Sequence, residues 1–475
     1  MLFSSIVFVL YFLPIVLLLY YVFSFSRMMQ NIILFFSSII FYAWGELDFA
    51  LLMCLSIFVN TFLGYLVDKF KESKKKAKTI VVVSLVYNLS VLFFFKYLMF
   101  TVRNVNMMFG TDFNIGKIAL PLGISFYTFQ AISYVVDVYR GDAKVEKNPF
   151  YVGLYIAFFP QLIAGPIVRY NTIADQIKHR KSSMDKFSVG CCRFLVGFSK
   201  KILLSNNFAL IADKVFELTN IKTIPASLAW LGGIAYTLQI YFDFSAYSDM
   251  AIGLAGMFGF RLEENFNYPY ISKSISEFWR RWHISLSTFF KEYVYFPLGG
   301  SRVENQDKMV RNTFIVWLLT GIWHGAEWTF VLWGLCNFVF IMGERLFNFE
   351  KSKINNGVKH IYTLFVVVIG WVLFRAENLT QAFVYLKNMF GLNGNGFASD
   401  TALMYVREYL PFIIAGIIFS TPIAKRINKL NVENKLPVIG SVITIVYPIV
   451  LIGLFAICMS YLVIGSYNPF IYFNF

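Results

Sequence analysis

The sequence predicts an all-α, polytopic membrane domain. Three observations carry that prediction: a low share of charged residues, apolar runs of bilayer length, and basic clusters between those runs. Of the 475 residues, 58% are hydrophobic and only 15% are charged. A soluble globular domain carries about 25% charged residues, and lipid is the solvent that accommodates the excess apolar surface. Phe (54) and Tyr (28) are abundant, as expected where rings fill bundle cores and sit at headgroup depth.

A helix crosses a bilayer with about 20 apolar residues, within a range of about 17–25. Clear runs of that kind occur at 2–24, 48–68, 79–102, 117–138, 225–245, 358–376, 406–424 and 437–466. Weaker or interrupted ones occur at 31–45, 149–168, 190–212, 246–260 and 312–343. Together they imply roughly 10–12 membrane passages, some broken or re-entrant, around a single membrane domain spanning 1–475. Leu2–Phe23 precedes the first basic residue, Arg27, so it lacks the positive n-region of a secretory signal and reads as a retained span. No 20–50-residue repeat, low-complexity tract or Gly/Ser linker divides the chain.

Charge sets the orientation. The densest basic cluster, KFKESKKKAK at Lys69–Lys78, belongs in the cytoplasm, and the acidic GELD turn at Gly45–Asp48 belongs outside. The N-terminus is then outside, and so, more weakly, is the C-terminus. The net charge of +15 sits in short segments between apolar runs. It reads as a positive-inside bias with anionic-lipid contact, and nucleic acid is not an expected partner.

Two segments resist a simple span. Residues 150–168 lie between basic segments and contain Pro160 and Gly165-Pro166, which predicts a broken hairpin. The run 312–343 would extend roughly 48 Å as one helix, too long for one crossing and too short for two. A bend near GIWHGA, Gly321–Ala326, resolves it and carries His324 inward.

Ionisable groups inside such runs are costly and usually face a polar cavity or a partner. Of four histidines, His179 and His360 lie in basic loops and read as solvated. His324 sits in WLLTGIWHGAEWTFVLW, Trp317–Trp333. A buried neutral imidazole is a ready general base, and a hydrogen-bonded core histidine is the competing reading. His283 sits in FWRRWHISL, Phe278–Leu286, with Trp279, Arg280, Arg281 and, further on, Lys291. Such a basic-aromatic segment is either an interfacial anchor or a site for an anionic, aromatic ligand such as a nucleotide-bearing coenzyme. Glu277, Glu292 and Glu327 are available to pair with these cations. Asp243 and Asp249 in YFDFSAYSDM read as caps and packing residues, with a proton relay as the alternative.

The five cysteines form no CxxC pair and read as core residues. There is no GxxxxGK[ST], HExxH or GxSxG sequence, so nucleotide hydrolysis, a metal site and a serine-hydrolase centre have no support. A transporter or glycan flippase fits the span pattern, but the inverted repeat typical of transporters is missing.

Five segments then converge in order: LPLGISFYTFQAISYVVDVYRG (Leu120–Gly141), FFPQLIAGPIVRY (Phe158–Tyr170), YFDFSAYSDMAIGLAGMFGF (Tyr241–Phe260), FWRRWHISLSTFFKEYVYFPLGG (Phe278–Gly300) and TGIWHGAEWTFVLWG (Thr320–Gly334). Together they resemble the membrane-bound O-acyltransferase superfamily. They are most similar to its bacterial alginate and cell-wall polysaccharide O-acetyltransferases, cousins of the teichoic-acid D-alanyl transfer protein. The resemblance implies a tunnel through a helical domain, with His324 as its catalytic histidine and His283 as a second polar histidine. Trp279, Arg280, Arg281 and Lys291 are then donor-side candidates. It implies no permanently bound cofactor. Cytoplasmic acetyl-CoA is the implied donor and an extracytoplasmic polysaccharide the acceptor, reached through a secreted or membrane-anchored esterase-like acetyltransferase. The C-terminal FIYFNF, Phe470–Phe475, is similar to an acyl-relay motif of the D-alanylation systems, which makes Tyr472 an acyl-carrier candidate. The plainer reading is an aromatic interfacial anchor.

Overall fold

The computed structural model describes all residues except 46, 220–222, 302–304, 395, 433–436, 466 and 472–475, and the side chains of 219 and 428–445. Helices account for the regular structure, and no strand occurs among the described residues. Five helices there are long and apolar enough to cross a membrane: Leu47–Lys69, Lys74–Phe109, Trp328–Leu346, Asn356–Arg375 and Val446–Val463. A sixth span arises if Asp400–Glu408 and Leu410–Phe419, bent by 68°, count as one. The 10–12 passages expected from the apolar runs exceed this number because several runs are not single long helices. Residues 117–138, for instance, form an irregular stretch followed by a helix only at Ile124–Arg140. The runs 225–245 and 246–260 fuse into one helix, Ala226–Met257, whose apolar surface is interrupted by Gln239, Asp243 and Asp249.

The chain divides into two compact units, residues 1–194 with 248–263, and residues 195–247 with 264–475. In the first unit Leu47–Lys69 packs on Lys74–Leu92 and on Ile124–Arg140. Helices of this kind gain little from apolar burial, since lipid is equally apolar, and polar side chains hold them instead. Asn60 and Asn88 exchange amide hydrogen bonds of 3.1 and 2.7 Å, with Ser56 and Ser84 alongside. The basic Lys69–Lys78 segment covers the end of the first of these helices, the turn at 70–73 and the start of the second. The 149–168 run is broken as its prolines predict: a helix at Pro149–Ala157, a single turn at Phe159–Leu162, then non-helical chain to Arg169.

This unit also buries a cation. Arg180 donates to Asn31 Oδ1 at 2.6 Å, to Tyr20 Oη at 3.1 Å, and to the carbonyls of Ile177 and Phe258. Its guanidinium lies 4.2 Å from the Phe260 ring centroid. Asp249 pairs with Arg193 at 2.9 Å. It stands inside the Ala226–Met257 helix, so it is an ion-pair partner and not the cap that its local sequence suggested.

The second unit holds the 312–343 run, which folds as two 19-residue helices, Gln306–His324 and Trp328–Leu346. Each is about 28 Å long. The break falls at residues 325–327, overlapping the end of the window expected from GIWHGA. Two glycines explain why the helices lie so close. A Cβ on Gly321 would meet the Phe330 carbonyl oxygen at 2.6 Å, and one on Gly334 would meet the Trp317 carbonyl oxygen at 2.6 Å. Helix backbones in direct contact are what small residues permit.

Candidate active site

His324 is the last residue of its helix, and Gly325 ends that helix in extended conformation. The imidazole is buried, with Trp323, Trp333 and Phe374 edge-on at centroid distances of 5.0, 5.1 and 5.1 Å. It lines a small cavity of about 20 Å³ together with Asp243, Phe244, Trp282, Trp371 and Ile471. That volume holds about one water molecule. A second, open cavity of about 550 Å³ shares Phe374 and Ile471 with it and is lined by Asp213, Glu217, Glu327 and Arg375.

His283 is also buried, with the Phe244 ring 4.5 Å away and Trp323 at 6.2 Å. Its proton can be assigned from its neighbours. The Ser285 backbone N–H points at the same Asn265 oxygen that His283 Nδ1 approaches at 3.1 Å. An N–H needs an acceptor, so this atom is the amide oxygen, and Nδ1 must carry the hydrogen. Burial, and then His324, push the His283 imidazole well below its ordinary range, so the ring is neutral. Its Nε2 therefore presents a lone pair, with no hydrogen-bond partner among the described residues. The residue sits at φ +44°, a conformation rare for a side chain with a Cβ, between the helices Ile275–Arg281 and Ile284–Phe290.

The helix Ile275–Arg281 is anchored at its start. Ser274 caps it, and the Glu344 carboxylate accepts from the Ile275 and Ser276 amides at 2.5 and 2.9 Å. An anion at a helix N-terminus is favourable because free N–H groups converge there. The rest of that helix does not reach the His324 cavity. Trp279 packs in a tryptophan cluster with Trp317 and Trp333 and donates to Asn337 Oδ1 at 2.9 Å. Arg281 pairs with Glu277 at 2.9 Å, and Arg280 pairs with Glu350 at 2.7 Å. Burial alone would raise the Glu350 carboxyl, but the Arg280 and Ser274 hydrogen bonds outweigh it and hold the group below its usual range. Lys291 is exposed, 5.5 Å from the Phe296 ring. The two histidines expected in loops stand in helices, His179 at the end of Tyr170–His179 and His360 within Asn356–Arg375; His179 bonds Asp175 at 2.6 Å and His360 lies 2.9 Å from the Ser272 carbonyl. No group of three His, Cys, Asp or Glu side chains suited to a metal occurs among the described residues.

Two features escaped the sequence reading. Lys201 is buried and ion-paired with Asp243, which lines the His324 cavity. Arg375 bonds Asp213 at 2.8 Å, and Tyr467 donates to the same carboxylate at 2.7 Å. The available signal was a cation inside an apolar run, at 190–212 and 358–376. Tyr472 lies outside the described residues, but the chain up to Ile471 is described.

Residues 143–381 match the family model for the membrane-bound O-acyltransferase family. The chain belongs to that family. It is 45% identical to the probable alginate O-acetylase of Pseudomonas aeruginosa over 395 residues, covering 82% of this chain and 75% of that protein. It is 35% identical to the peptidoglycan O-acetyltransferase of Helicobacter pylori over 429 residues, covering 83% and 80%. It is 32% identical to the teichoic acid D-alanyltransferase of Bacillus subtilis over 244 residues, covering 49% and 60%. The protein is thus a multi-pass membrane O-acyltransferase. Within this membrane-bound O-acyltransferase, the matched segment contains both buried histidines and the hairpin that presents His324.

Proposed function

We propose that this acyltransferase moves an acetyl group from cytoplasmic acetyl-CoA toward an extracytoplasmic polysaccharide, with His324 as general base and Tyr472 as intermediate acyl carrier. A secreted or membrane-anchored esterase-like acetyltransferase then takes the group from Tyr472 to the glycan. The glycan class follows the names of the alginate and peptidoglycan relatives. The observation that carries the carrier reading is the position of Ile471. The residue preceding Tyr472 is buried and lines the same cavity as His324.

The chemistry balances with one base. The Tyr472 hydroxyl oxygen attacks the thioester carbonyl carbon, and its proton passes to His324. The C–S bond breaks, and the departing thiolate recovers that proton from the imidazolium. Thiol and phenol have similar acidities, with ordinary pKa values of about 8.5 and 10, so the acyl group moves between leaving groups of comparable quality. A phenyl ester remains activated toward an alcohol. The partner's hydroxyl attacks the carbonyl carbon of the Tyr472 ester, the bond between that carbon and the phenolic oxygen breaks, and the phenolate takes up the proton that the hydroxyl gives up. His283, neutral with its Nε2 lone pair free, serves as a hydrogen-bond acceptor beside the reacting groups. Trp279, Arg280, Arg281 and Lys291 are assigned to the donor side, where cationic and aromatic groups suit a nucleotide. A cavity holding about one water molecule limits hydrolysis of the acyl group.

The test uses labelled acetyl-CoA, membranes and mass spectrometry of the C-terminal peptide. Wild type should carry label on Tyr472. His324→Ala should slow labelling by about 10²–10⁴-fold at equal protein level. Tyr472→Phe keeps the aromatic ring and should abolish glycan acetylation. Acetylation at the normal rate in either variant overturns that residue's role.

A further inference from the structure

The described end of the chain, residues 467–471, descends from the surface into the second unit. Tyr467 is 48% exposed, whereas Phe470 and Ile471 are 5% and 6% exposed. Each residue of the segment is held. Tyr467 donates to Asp213, Asn468 accepts from Asn206 at 3.1 Å, and Phe470 packs on Tyr247 with ring centroids 5.2 Å apart. Two further contacts are to main chain, and both come from one buried ion pair. Lys201 Nζ donates to the Pro469 carbonyl, and the Ile471 amide donates to Asp243 Oδ2 at 3.0 Å. Lys201 also donates to Asp243 Oδ1, which accepts from Ser205 Oγ at 3.2 Å. Both charged side chains are about 2–3% exposed.

We propose that Lys201 and Asp243 form a main-chain clamp that sets the register of the C-terminal segment in the His324 cavity, acting as positioning residues for acyl transfer. The geometry is specific. The ion pair binds the carbonyl before Phe470 and the amide after it, so it brackets one residue and resists a slip of the segment in either direction. A buried charge pair is retained only where its remaining hydrogen-bonding capacity is met. Here the segment meets it, so seating the segment and satisfying the pair are one event. Because the clamp contacts main chain, it does not depend on which side chain stands at 469 or 471, provided residue 471 keeps its N–H. The catalytic consequence rests on Tyr472 being the acyl carrier, whereas the seating itself does not.

Two variants separate the clamp from the fold. Ile471→Pro deletes the donated hydrogen at the chain end, where no core element depends on it. Lys201→Met/Asp243→Leu removes both charges together, since removing one alone would strand the other. Carboxypeptidase digestion of the detergent-purified protein reads the seating directly. In wild type, trimming should stop before Ile471. In the Lys201→Met/Asp243→Leu variant it should pass Ile471 at least tenfold faster, whereas Ile471→Pro is read by labelling alone because a C-terminal proline itself resists carboxypeptidase; thermal unfolding should be unchanged in both. Single-turnover labelling of the C-terminal peptide from acetyl-CoA should slow about 10²-fold, the scale expected for a reactant misplaced by about 1 Å, with KM for acetyl-CoA unaltered. Wild-type trimming in the double variant, or an unchanged labelling rate in either variant, overturns the proposal. Absence of label in wild type overturns the carrier reading instead, and the trimming assay still decides the clamp.

Discussion

Two buried cations in this protein make opposite kinds of contact. Arg180, in the first unit, bonds to side chains and carbonyls that belong to helices and to the chain just after a helix: Tyr20, Asn31, Ile177 and Phe258. Lys201, in the second unit, bonds to Asp243 and to a carbonyl of the terminal segment. The first arrangement ties together elements that must be in place for the unit to fold. The second leaves half of its hydrogen bonds on a segment that can leave without breaking a helix. The two cases show that burial of a charge does not by itself mark function. What matters is whether its partners are part of the framework.

Replacing Arg180 by Met tests the framework side and should have the largest effect on stability. It strands the Asn31 oxygen and removes the charge-assisted bonds to Tyr20 and to the Ile177 and Phe258 carbonyls, which keep donors in Asn31 and Tyr20, at a cost of about 3 kcal/mol. The measurement is thermal unfolding in detergent, with acyl transfer normalised to folded protein. A variant that melts normally yet loses transfer would break the contrast. Gly334→Val comes next. Its Cβ meets the Trp317 carbonyl oxygen at 2.6 Å, so the hairpin must open, at about 1–3 kcal/mol of strain. Transfer should fall by more than stability accounts for, because His324 ends one of the two helices. Full transfer by the folded fraction would mean that the hairpin spacing does not position the histidine. The smallest effect is expected for Arg280→Ala. Its pair with Glu350 is about half exposed on both sides, so the stability change should stay below about 1 kcal/mol. A several-fold rise in KM for acetyl-CoA with kcat unchanged would give Arg280 a donor-side role. An unchanged KM would leave it as surface charge.

Much of the architecture was legible in the sequence because it follows from local chemistry. Pro160 and Gly325 disfavour a continuous helix, and both breaks occur beside those residues, although Pro448 and Gly321 stand inside helices. The apolar runs of about 20 residues point to helices, since a helix satisfies its backbone within one segment in lipid and a barrel strand needs only about half that length. The number of spans was less legible. An apolar run does not reveal whether residues 117–123 are helical, nor that Ala226–Met257 is one continuous helix. The cationic segment was ambiguous for a related reason. Arg280, Arg281 and two glutamates close in sequence or space can serve a ligand or one another, and here Arg280 meets Glu350 and Arg281 meets Glu277.

By itself, then, the sequence determined the all-helical membrane class, the break that presents His324, and the histidine pair worth attention. These depend on composition and on steric rules acting over a few residues. Tertiary structure alone decided that Asp243 belongs with Lys201 rather than at a helix cap, that Asn265 fixes the His283 tautomer, and that Ile471 shares a cavity with His324. Each joins residues at least 18 positions apart, up to 147 for His324 and Ile471. The energy of such a contact depends on burial and on the geometry of both partners. Neither quantity exists until the chain has folded.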